Sequence, residues 1–411
     1  DEETCVIADN EKALGIGGAF TSIADDPSCL YWNPGGLGNQ KKYNISLNYC
    51  LYCKHVQISE CLSPDLLFKN YLWETGISKS NISLIKKILV KLKKLGISKK
   101  SKILEIASND GSFIEILKKR FNSFAIGVDP AKNLAKKANS KRIFTINNYF
   151  NYKLSHSIKK KFSKFDFIFA RNVIAHLNNP NQVFKGIENL LKDNGVLILE
   201  VPHLLNILNK NQYDNIFHEH VGFHSLRSIK DLCEQNQLKV FDVEMIDSQG
   251  GSIRCYICKN KSKKSISRKT KNILKIEKKS NLFSGKNLEK FKYKIKNHSK
   301  SINKLITDLK KKKNKISVYG ASGKGQALMQ FAKIDNNLID YVFDKSKLKQ
   351  GRFTPGTNIK IMDPKHISRN KVDYLLILSW NIKDEIIKQE RFFLKKGGKF
   401  ITPFPEPKVL N

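Results

Sequence analysis

Residues 102–113, KILEIASNDGSF, constrain the fold more than any other part of the chain. Residues 103–106 are typical of a short buried strand, the small residues 107–111 predict a turn, and a helix would follow. A second strand-like run, residues 124–129, ends in the carboxylate of Asp129. Open α/β sheets bind ligands where the first strand turns into its helix, and backbone amides at the helix start face that point. The stretch therefore predicts a site for a nucleoside-containing cofactor.

The turn holds one glycine, Gly111, where a dinucleotide-binding turn has G-x-G-x-x-G. A single glycine favours a cofactor without a pyrophosphate, such as S-adenosylmethionine. Its ribose would face Asp129, its methionine end would lie by the turn, and Asn172 lies near the same crevice after the fourth strand. The alternative for Asp129 is a cap of the helix that begins at Pro130. The candidate cofactor-binding residues are Glu105, Ala107, Ser108, Asn109, Asp110, Gly111, Asp129 and Asn172.

The 411 residues predict several domains. Strand-like and helix-like runs alternate after the first eighty residues, which predicts a parallel sheet with right-handed crossovers. Two more apolar runs, 238–244 and 252–257, would finish that sheet at one edge. The predicted division is an atypical leader at 1–40, a partial zinc-binding module at 41–80, the main α/β domain at 81–258, a Lys-rich helical connector at 259–315, and a second Rossmann-like α/β domain at 316–411.

The chain is strongly basic, with 74 Lys and Arg against 37 Asp and Glu. Residues 259–315 alone carry 22 basic and 3 acidic side chains. The excess is mostly lysine, without an aromatic-basic motif, so we interpret it as biased amino-acid usage and expect no nucleic-acid partner. A basic RNA methyltransferase is the alternative. No run of 18 apolar residues exists, so we expect no membrane segment and, without a secretory signal, a cytoplasmic location.

Cys50 and Cys53 have the C-x2-C spacing that turns two thiolates toward one tetrahedral zinc ion. Such a site needs four ligands, and no second pair lies upstream. His55 and Cys61 are possible extra ligands. Half of a zinc ribbon and a pair of reduced cysteines remain open as interpretations. A second C-x2-C, residues 255–258, lies in a strand-like run, which would send its cysteines to opposite faces.

Histidines cluster in residues 215–224, NIFHEHVGFH. If this segment is extended, His218 and His220 share one face and Glu219 opposes them. His176 follows the fourth strand on the ligand side of the sheet. An imidazole with a pKa near neutrality could act as a general base, oriented by a carboxylate. A metal site formed by His218, His220 and a carboxylate, and ordinary hydrogen-bonded histidines, are the alternatives.

Residues 318–326, VYGASGKGQ, follow a strand and open a helix, as in a phosphate-binding turn. They do not form a Walker loop, because no Ser or Thr follows Lys324. As a dinucleotide turn they would favour an NAD-dependent oxidoreductase of a sugar nucleotide.

Nine motifs of the chain occur together in one known family. They are Leu104–Gly111, Gly127–Ala131, Asn172–His176, Phe217–His220, Gly250–Arg254, Tyr319–Gly325, Lys349–Arg352, Pro355–Thr357 and Ser379–Asn381. On these motifs, roughly residues 43–408 resemble the sugar C-methyltransferases, whose type is an S-adenosylmethionine-dependent 3-C-methyltransferase of nucleotide-linked 4-keto-deoxysugars. The resemblance implies a Rossmann-like class I methyltransferase domain, a C-terminal Rossmann-like domain that binds no dinucleotide, and a small N-terminal zinc-binding module. We expect a monomer with no metal in the reaction.

The resemblance also implies roles for residues. His220 would remove the proton from the carbon next to the ketone, and the resulting enolate would take the sulfonium methyl in line. Glu219 and His176 would line the same pocket. The expected substrate-binding residues are Tyr71, Trp73, Phe217, Lys324 and Arg352.

The chain departs from the family at several positions. Trp73 and Phe217 stand where the family has tyrosines, Ala107 where it has glycine, and Gln249 where it has histidine. The family's first cysteine pair is missing. In its place, residues 10–38 resemble the N-terminus of outer-membrane proteins of the fatty-acid-transporter type.

Overall fold

The computed structural model describes residues 47–50, 53–59, 61–77, 79–281 and 284–410. The predicted leader at 1–40 lies outside these residues. The described part contains three β-sheets with helices packed on them. None of its helices is both long enough and apolar enough to cross a lipid bilayer.

The strands are β1 Leu47–Tyr49, β2 Val56–Ile58, β3 Lys102–Ile106, β4 Phe124–Val128, β5 Thr145–Ile146, β6 Phe165–Arg171, β7 Leu191–Pro202, β8 Gly222–Phe223, β9 Leu238–Ile246, β10 Ser252–Lys259, β11 Ile316–Tyr319, β12 Val342–Phe343, β13 Ile361–Met362, β14 Tyr374–Ile377, β15 Lys399–Thr402 and β16 Lys408–Leu410. The α-helices are α1 Pro64–Phe68, α2 Lys79–Lys94, α3 Ser112–Phe121, α4 Lys132–Ser140, α5 Tyr152–Phe162, α6 Pro180–Leu190, α7 Leu204–Asn209, α8 Leu226–Gln235, α9 Arg268–Lys279, α10 Gly285–Lys311, α11 Gly323–Phe331, α12 Lys383–Gln389 and α13 Arg391–Lys395.

The largest sheet has seven strands in the order β5-β4-β3-β6-β7-β10-β9. Its first five strands are parallel, and β10 lies antiparallel between β7 and β9. Both faces are covered, because alternate residues of β3 enter different cores: Leu104 packs on one side and Ile103 on the other. The predicted class I methyltransferase sheet, with two added strands at one edge, is confirmed. The carboxyl ends of β3, β4 and β6 meet at one edge, as a ligand site requires.

Two apolar runs that are typical of strands, 142–146 and 339–343, form shorter strands in the structure. The run 142–146 reduces to β5, because Arg142 has a left-handed backbone (φ 60°) in the turn after α4. The run 339–343 reduces to β12, because the amide of Ile339 is hydrogen-bonded to the Asp335 carbonyl in a turn. The cysteines of β10 behave as predicted: Cys255 and Cys258 are buried in different cores on opposite faces.

The C-terminal sheet has the order β13-β12-β11-β14-β15-β16 and is parallel except for β16. This is the second Rossmann-like unit. The smallest sheet, β1-β2-β8, joins the hairpin of β1 and β2 to β8, which lies within the histidine-rich segment 215–224.

The Lys-rich connector is two helices, α9 and α10, rather than the single solvated helix that its spacing predicts. Their apolar positions are not all at the surface: Ile302 and Ile306 of α10 are fully buried in the core under β11. His298 of α10 bonds Tyr213 at 3.0 Å and the Pro403 carbonyl at 2.7 Å. The connector is therefore an integral part of the fold.

Glu277 of α9 holds the start of α8. Its carboxylate accepts the backbone N–H groups of Leu226 (2.6 Å) and Arg227 (2.9 Å) and lies 2.6 Å from Nε2 of buried His203. Glu277→Gln should lower the free energy of unfolding by about 1–3 kcal/mol, because an amide group replaces one of the acceptor oxygens. Urea unfolding measures the loss. Glu289→Gln on the exposed side of α10 is the matched control, and an equal loss in both variants would contradict this role.

Candidate active site

The cofactor turn, defined as residues 107–111, has an unusual backbone. Ala107, Asn109 and Gly111 have positive φ angles of 55°, 54° and 75°. Such angles are ordinary for glycine and costly for alanine. The turn ends directly at α3, whose N-terminal cap is Gly111.

The amides of this turn are already hydrogen-bonded within the chain, contrary to the expectation that they face a ligand. Ser108 donates to the Val128 carbonyl at 3.2 Å, and Gly111 donates to the Ser108 carbonyl at 3.1 Å. Asn109 donates to Asp129 Oδ2 at 2.7 Å, and Asp110 donates to the Asn109 side chain at 2.9 Å. Cofactor contacts therefore fall mainly to side chains around the turn.

Asp129 closes the turn from the end of β4. Its two carboxylate oxygens accept the N–H groups of Asn109 and of Ala131, the latter at 2.8 Å. Burial raises the pKa of this carboxyl, and the two amide bonds oppose the shift. Because each carboxylate oxygen can accept two hydrogen bonds, capacity remains for ribose hydroxyls. The first residue of α4 is Lys132, so Asp129 is not its N-cap.

Side-chain oxygens at the strand ends fit a polar cofactor. Ser108 Oγ and Asn172 Oδ1 are buried without a hydrogen-bond partner among the described residues. Unpaired buried acceptors of this kind are costly and would suit the ammonium or hydroxyl groups of S-adenosylmethionine. Glu105 Oε1 pairs with Arg171, whose Nη2 lies 2.7 Å away, while Glu105 Oε2 is buried without a hydrogen-bond partner among the described residues. Burial raises the pKa of Glu105 to about 7, against the opposing effect of Arg171.

Ala107→Gly should stabilise the protein by about 0.5–1 kcal/mol. Glycine removes the strain that alanine has at a positive φ angle, and this gain exceeds the conformational entropy that glycine loses on folding. Thermal unfolding measures the gain. Ala135→Gly in α4 is the opposite control: its helical backbone gains nothing from glycine, so the melting temperature should fall. A loss of stability in Ala107→Gly would contradict the strain inferred from φ.

Residues 71–75, which we name the strap, cross over the cofactor turn. Asn109 Nδ2 donates to the Trp73 carbonyl at 3.1 Å, and the Thr75 amide donates to Asn109 Oδ1 at 2.9 Å. Asn133 pairs with the backbone of Tyr71 through two bonds, at 3.1 and 2.8 Å. The strap therefore carries Tyr71 from the cofactor turn toward the histidine cluster.

The histidine cluster is a turn and not the predicted extended segment. The His220 amide donates to the Phe217 carbonyl at 2.9 Å, which leaves His218 exposed and His220 buried. The two histidines therefore do not share a face. Among the residues that the model describes, no group of three His, Cys, Asp or Glu side chains is placed to hold a metal ion.

His220 has the geometry of a neutral base. Its Nδ1 lies 2.8 Å from the Asn215 carbonyl, which can only accept, so Nδ1 carries the proton and Nε2 keeps a lone pair. The ring packs on Phe217 and edge-on to His176, with centroids 4.6 and 4.9 Å away. Burial, aided by the charges of His176 and Lys324, lowers the pKa of His220 well below its usual value.

His176 and Glu219 complete the cluster. His176 Nδ1 lies 2.7 Å from the Glu219 carbonyl, which fixes its tautomer in the same way. Tyr71 of the strap donates its hydroxyl to Glu219 Oε2 at 3.1 Å. Burial raises the pKa of Glu219, and the Tyr71 hydrogen bond opposes the shift. Three predicted site residues and Tyr71 are thus in one place.

The C-terminal unit contributes to the same cluster. Gly323 opens α11 so close to the histidine turn that an added Cβ would lie 2.6 Å from Phe217 Cε2. The next residue, Lys324, donates to Gln249 Oε1 at 3.1 Å. Trp380 Nε1 donates to Asp214 Oδ2 at 2.6 Å. Burial raises the pKa of Asp214 to about 6, and Lys324 and Trp380 oppose the shift.

Two predicted substrate-binding residues lie apart from this cluster. Arg352 is exposed, and its carbonyl accepts the Ile361 amide at 2.8 Å. No contact recorded among the described residues joins Arg352 to the histidine turn. Trp73 is 39% exposed and contacts the cofactor turn through its backbone.

Two family models match consecutive parts of the chain. Residues 79–243 match a methyltransferase domain, and residues 247–405 match a C-methyltransferase C-terminal domain. The C-methyltransferase NovU of Streptomyces niveus is 29% identical over 375 residues, which cover 91% of this chain and 89% of NovU. The chain is similar to the sugar C-methyltransferases over most of its length. It is an S-adenosylmethionine-dependent C-methyltransferase.

Other relatives match the methyltransferase less completely. Phosphoethanolamine N-methyltransferase of Plasmodium falciparum (isolate 3D7) is 27% identical over 152 residues, or 36% of this chain and 54% of that protein. A putative sarcosine dimethylglycine methyltransferase from Galdieria sulphuraria superposes with a TM-score of 0.34 at 16% identity, covering 41% of this chain and 66% of that one. Residues 10–38, with their resemblance to outer-membrane proteins, lie before both family-model matches.

The C-methyltransferase keeps one turn of the predicted zinc module. The Cys53 amide donates to Cys50 Sγ at 3.4 Å, within the hairpin between β1 and β2. His55, a possible extra ligand, instead packs its ring on His224 at 4.6 Å. The described residues alone do not supply a zinc-ligand set, and Cys5 and Cys29 lie outside them.

Three residues beside the candidate site were not predicted from the sequence. Asn133 donates to the Tyr71 carbonyl, and Trp380 donates to Asp214. Trp380 lies in one of the family motifs, but no sequence spacing predicts its contact with Asp214, which is 166 residues away. Asp214 directly precedes the histidine-rich segment, and that proximity was the sole signal for it.

Four histidines that are wholly or partly buried should make the C-methyltransferase lose stability in acid. Burial lowers the pKa of His55 and His176 to about 4, and those of His220 and His224 well below 6.5. As pH falls from 6.5 toward 4, the unfolded chain binds protons that the folded protein does not, so the free energy of unfolding falls. These groups have no such effect above pH 6.5.

Urea midpoints at pH 7.5, 6.5 and 5.5 measure this dependence. His224→Asn should make the fall between pH 6.5 and 5.5 shallower, because it removes one buried imidazole. His156→Asn, on the exposed side of α5, should leave it unchanged. A fall that is equally steep in both variants would mean that carboxylates, not His224, are responsible.

Proposed function

We propose that this C-methyltransferase adds a methyl group to C3 of a nucleotide-linked 4-keto-deoxysugar, with His220 as the base. The observation that carries the proposal is the bond between His220 Nδ1 and the Asn215 carbonyl. It leaves Nε2 as the unprotonated nitrogen of a buried ring. A base that is neutral in the free protein is what removal of a carbon-bound proton requires.

The proposed chemistry needs no metal, because the ketone itself stabilises the carbanion. Nε2 of His220 takes the C3 proton, the C–H electron pair forms the C3–C4 double bond, and the carbonyl pair moves to the C4 oxygen. S-adenosylmethionine supplies the electrophilic methyl group for C3. The proton on His220 returns to solvent after the product leaves. Positioned base catalysis contributes about 10²–10⁴-fold, and alignment of the reacting atoms contributes much of the rest.

The surrounding residues have supporting parts in this proposal. Tyr71 and Glu219 orient the sugar, since their hydrogen bond lies next to the base. Phe217 and His176 exclude water from the imidazole by packing on it. Asp129, Ser108 and Asn172 hold the cofactor at the strand ends. The proposed division assigns methyl transfer to residues 81–258, with side chains added from residues 316–411.

The test is mass spectrometry of 4-keto-deoxysugars linked to thymidine, uridine, cytidine or guanosine diphosphate, after incubation with S-adenosylmethionine and the protein. We expect a gain of one methylene mass (about 14 Da) for at least one nucleotide, located at C3 by NMR. The corresponding 4-hydroxy sugar is the control, because it cannot form an enolate. Methylation of both sugars alike, or of neither, would refute the proposal.

A further inference from the structure

Lys324 is a cation of the active site that has no ion-pair partner among the residues that the structure describes. Its side chain is half-buried at the start of α11, and its recorded hydrogen bond goes to the neutral amide of Gln249. Among the described residues, no carboxylate lies within 4.0 Å of its ammonium group. Burying an ammonium group without a direct ion pair is costly, so this arrangement favours an anionic ligand.

The position of Lys324 points that charge toward the base. Gly323 beside it lies against Phe217, and a Cβ there would also lie 3.4 Å from Glu219 Oε1. The charge of Lys324 lowers the pKa of both His176 and His220, as expected for a cation facing those rings. Burial lowers the pKa of Lys324 itself to about 8, while Asp214 and Glu219 oppose the shift. It is therefore protonated near neutral pH.

Two other cations near the active site, Lys349 and Arg171, have carboxylate partners. Lys349, whose charge also acts on Glu219, donates to the Ala321 carbonyl at 2.7 Å and lies 3.5 Å from Asp344. Arg171 is paired with Glu105. Lys324 is thus the cation of this group that has no carboxylate partner.

We propose that Lys324 donates a hydrogen bond to the substrate oxygen that becomes negative when His220 removes the neighbouring proton. The inference rests on the proposed function and deepens it. The proton moves from C3 to His220, the electron pair moves through C3–C4 to the C4 oxygen, and Lys324 holds that oxyanion. This lysine comes from the C-terminal unit, so that unit completes the catalytic centre.

Solvent exchange separates this role from simple binding. With S-adenosylhomocysteine bound in place of the methyl donor, enolate formation is observed as uptake of deuterium at C3 from D2O, by mass spectrometry. The substrate is the 4-keto sugar nucleotide that the wild-type protein methylates. Lys324→Met should slow both exchange and kcat by about 10²–10³-fold, the usual loss for one oxyanion donor. KM for the sugar should change less than about threefold, because the charge develops after binding.

Two further variants complete the design. Lys324→Arg keeps the charge and should retain more exchange than Lys324→Met. Lys347→Met removes an exposed lysine of the same unit and should exchange like the wild type. The dissociation constant for S-adenosylmethionine and the melting temperature, both unchanged, would establish that each variant is folded.

The outcomes distinguish the possibilities. If Lys324→Met raises KM tenfold or more with exchange unchanged, Lys324 binds the nucleotide diphosphate and the inference is wrong. If Lys324→Met exchanges at the wild-type rate with normal KM, it is also wrong. If the wild-type protein neither exchanges nor methylates any 4-keto sugar nucleotide, the proposed function itself has failed.

Discussion

Replacing His220 with asparagine should abolish methyl transfer and leave S-adenosylmethionine binding unchanged. Asparagine can keep the bond to the Asn215 carbonyl through its amide N–H, but it offers no basic nitrogen in place of Nε2. Loss of a positioned base lowers kcat by about 10²–10⁴-fold. The cofactor turn has its own hydrogen bonds, to Val128 and Asp129, so it should not respond.

The measurements are kcat with the active sugar nucleotide and the dissociation constant for S-adenosylmethionine by calorimetry. His218→Asn is the matched control, because His218 belongs to the same turn but is exposed. It should methylate within about twofold of the wild type, as expected for a surface substitution. Normal turnover by His220→Asn would remove His220 from the mechanism, and loss of activity in His218→Asn would revive a metal or proton-relay role for that histidine.

Much of the fold could be predicted because its signals are local. The buried run before the cofactor turn and the acid after β4 lie within thirty residues of each other, and periodic apolar positions define the strands between them. The sheet order then follows from right-handed crossovers. The strand boundaries that failed, at 142 and 339, lie in turns: Arg142 has a left-handed backbone, and the Ile339 amide is hydrogen-bonded to the Asp335 carbonyl.

The active site was predictable in residue type but not in arrangement. His220, Glu219, His176 and Tyr71 were predicted from motifs, and the structure brings them together. The tautomer of His220 depends on the Asn215 carbonyl, five residues away. This segment is a turn, but its alternating pattern predicts an extended segment. The contact of Trp380 with Asp214 depends on how two units pack, and no local pattern encodes that.

Both Rossmann-like units close their first turn in the same way. Asp129 accepts the amides of Asn109 and Ala131, and Asp344 accepts those of Ala321 and Ser346, all at 2.7–2.8 Å. Each acid follows the second strand of its unit. The sequence pattern predicts that Asp129 contacts a ribose, but the repeat indicates that its first role is structural. What differs is the residue that follows each turn: in the C-terminal unit it is Lys324, whose charge lowers the pKa of His176 and His220.

Replacing Gly76 with alanine should affect cofactor binding, whereas replacing Gly323 with alanine should affect catalysis. A Cβ on Gly76 would lie 2.6 Å from Ser112 Oγ and 2.9 Å from Asp110 Oδ2, beside the cofactor turn. A Cβ on Gly323 would lie 2.6 Å from Phe217 Cε2, and that ring packs on His220. Overpacking of this kind costs about 1–3 kcal/mol, or about 5- to 150-fold in an equilibrium or rate.

Gly76→Ala should therefore weaken S-adenosylmethionine binding by at least about fivefold, and Gly323→Ala should lower kcat by a similar factor with normal cofactor affinity. Each variant is the control for the other, since both add one methyl group at a contact between elements. Calorimetry and steady-state kinetics measure the two effects. The contrary result is that Gly323→Ala weakens S-adenosylmethionine binding and Gly76→Ala lowers only kcat. In that case the strap, residues 71–75, would have to transmit strain between the two sites. The placement of the cofactor at the cofactor turn and of the sugar at the histidine cluster, as independent sites, would then be wrong. The hydrogen bonds of Asn109 and Glu219 to the strap would couple the two sites.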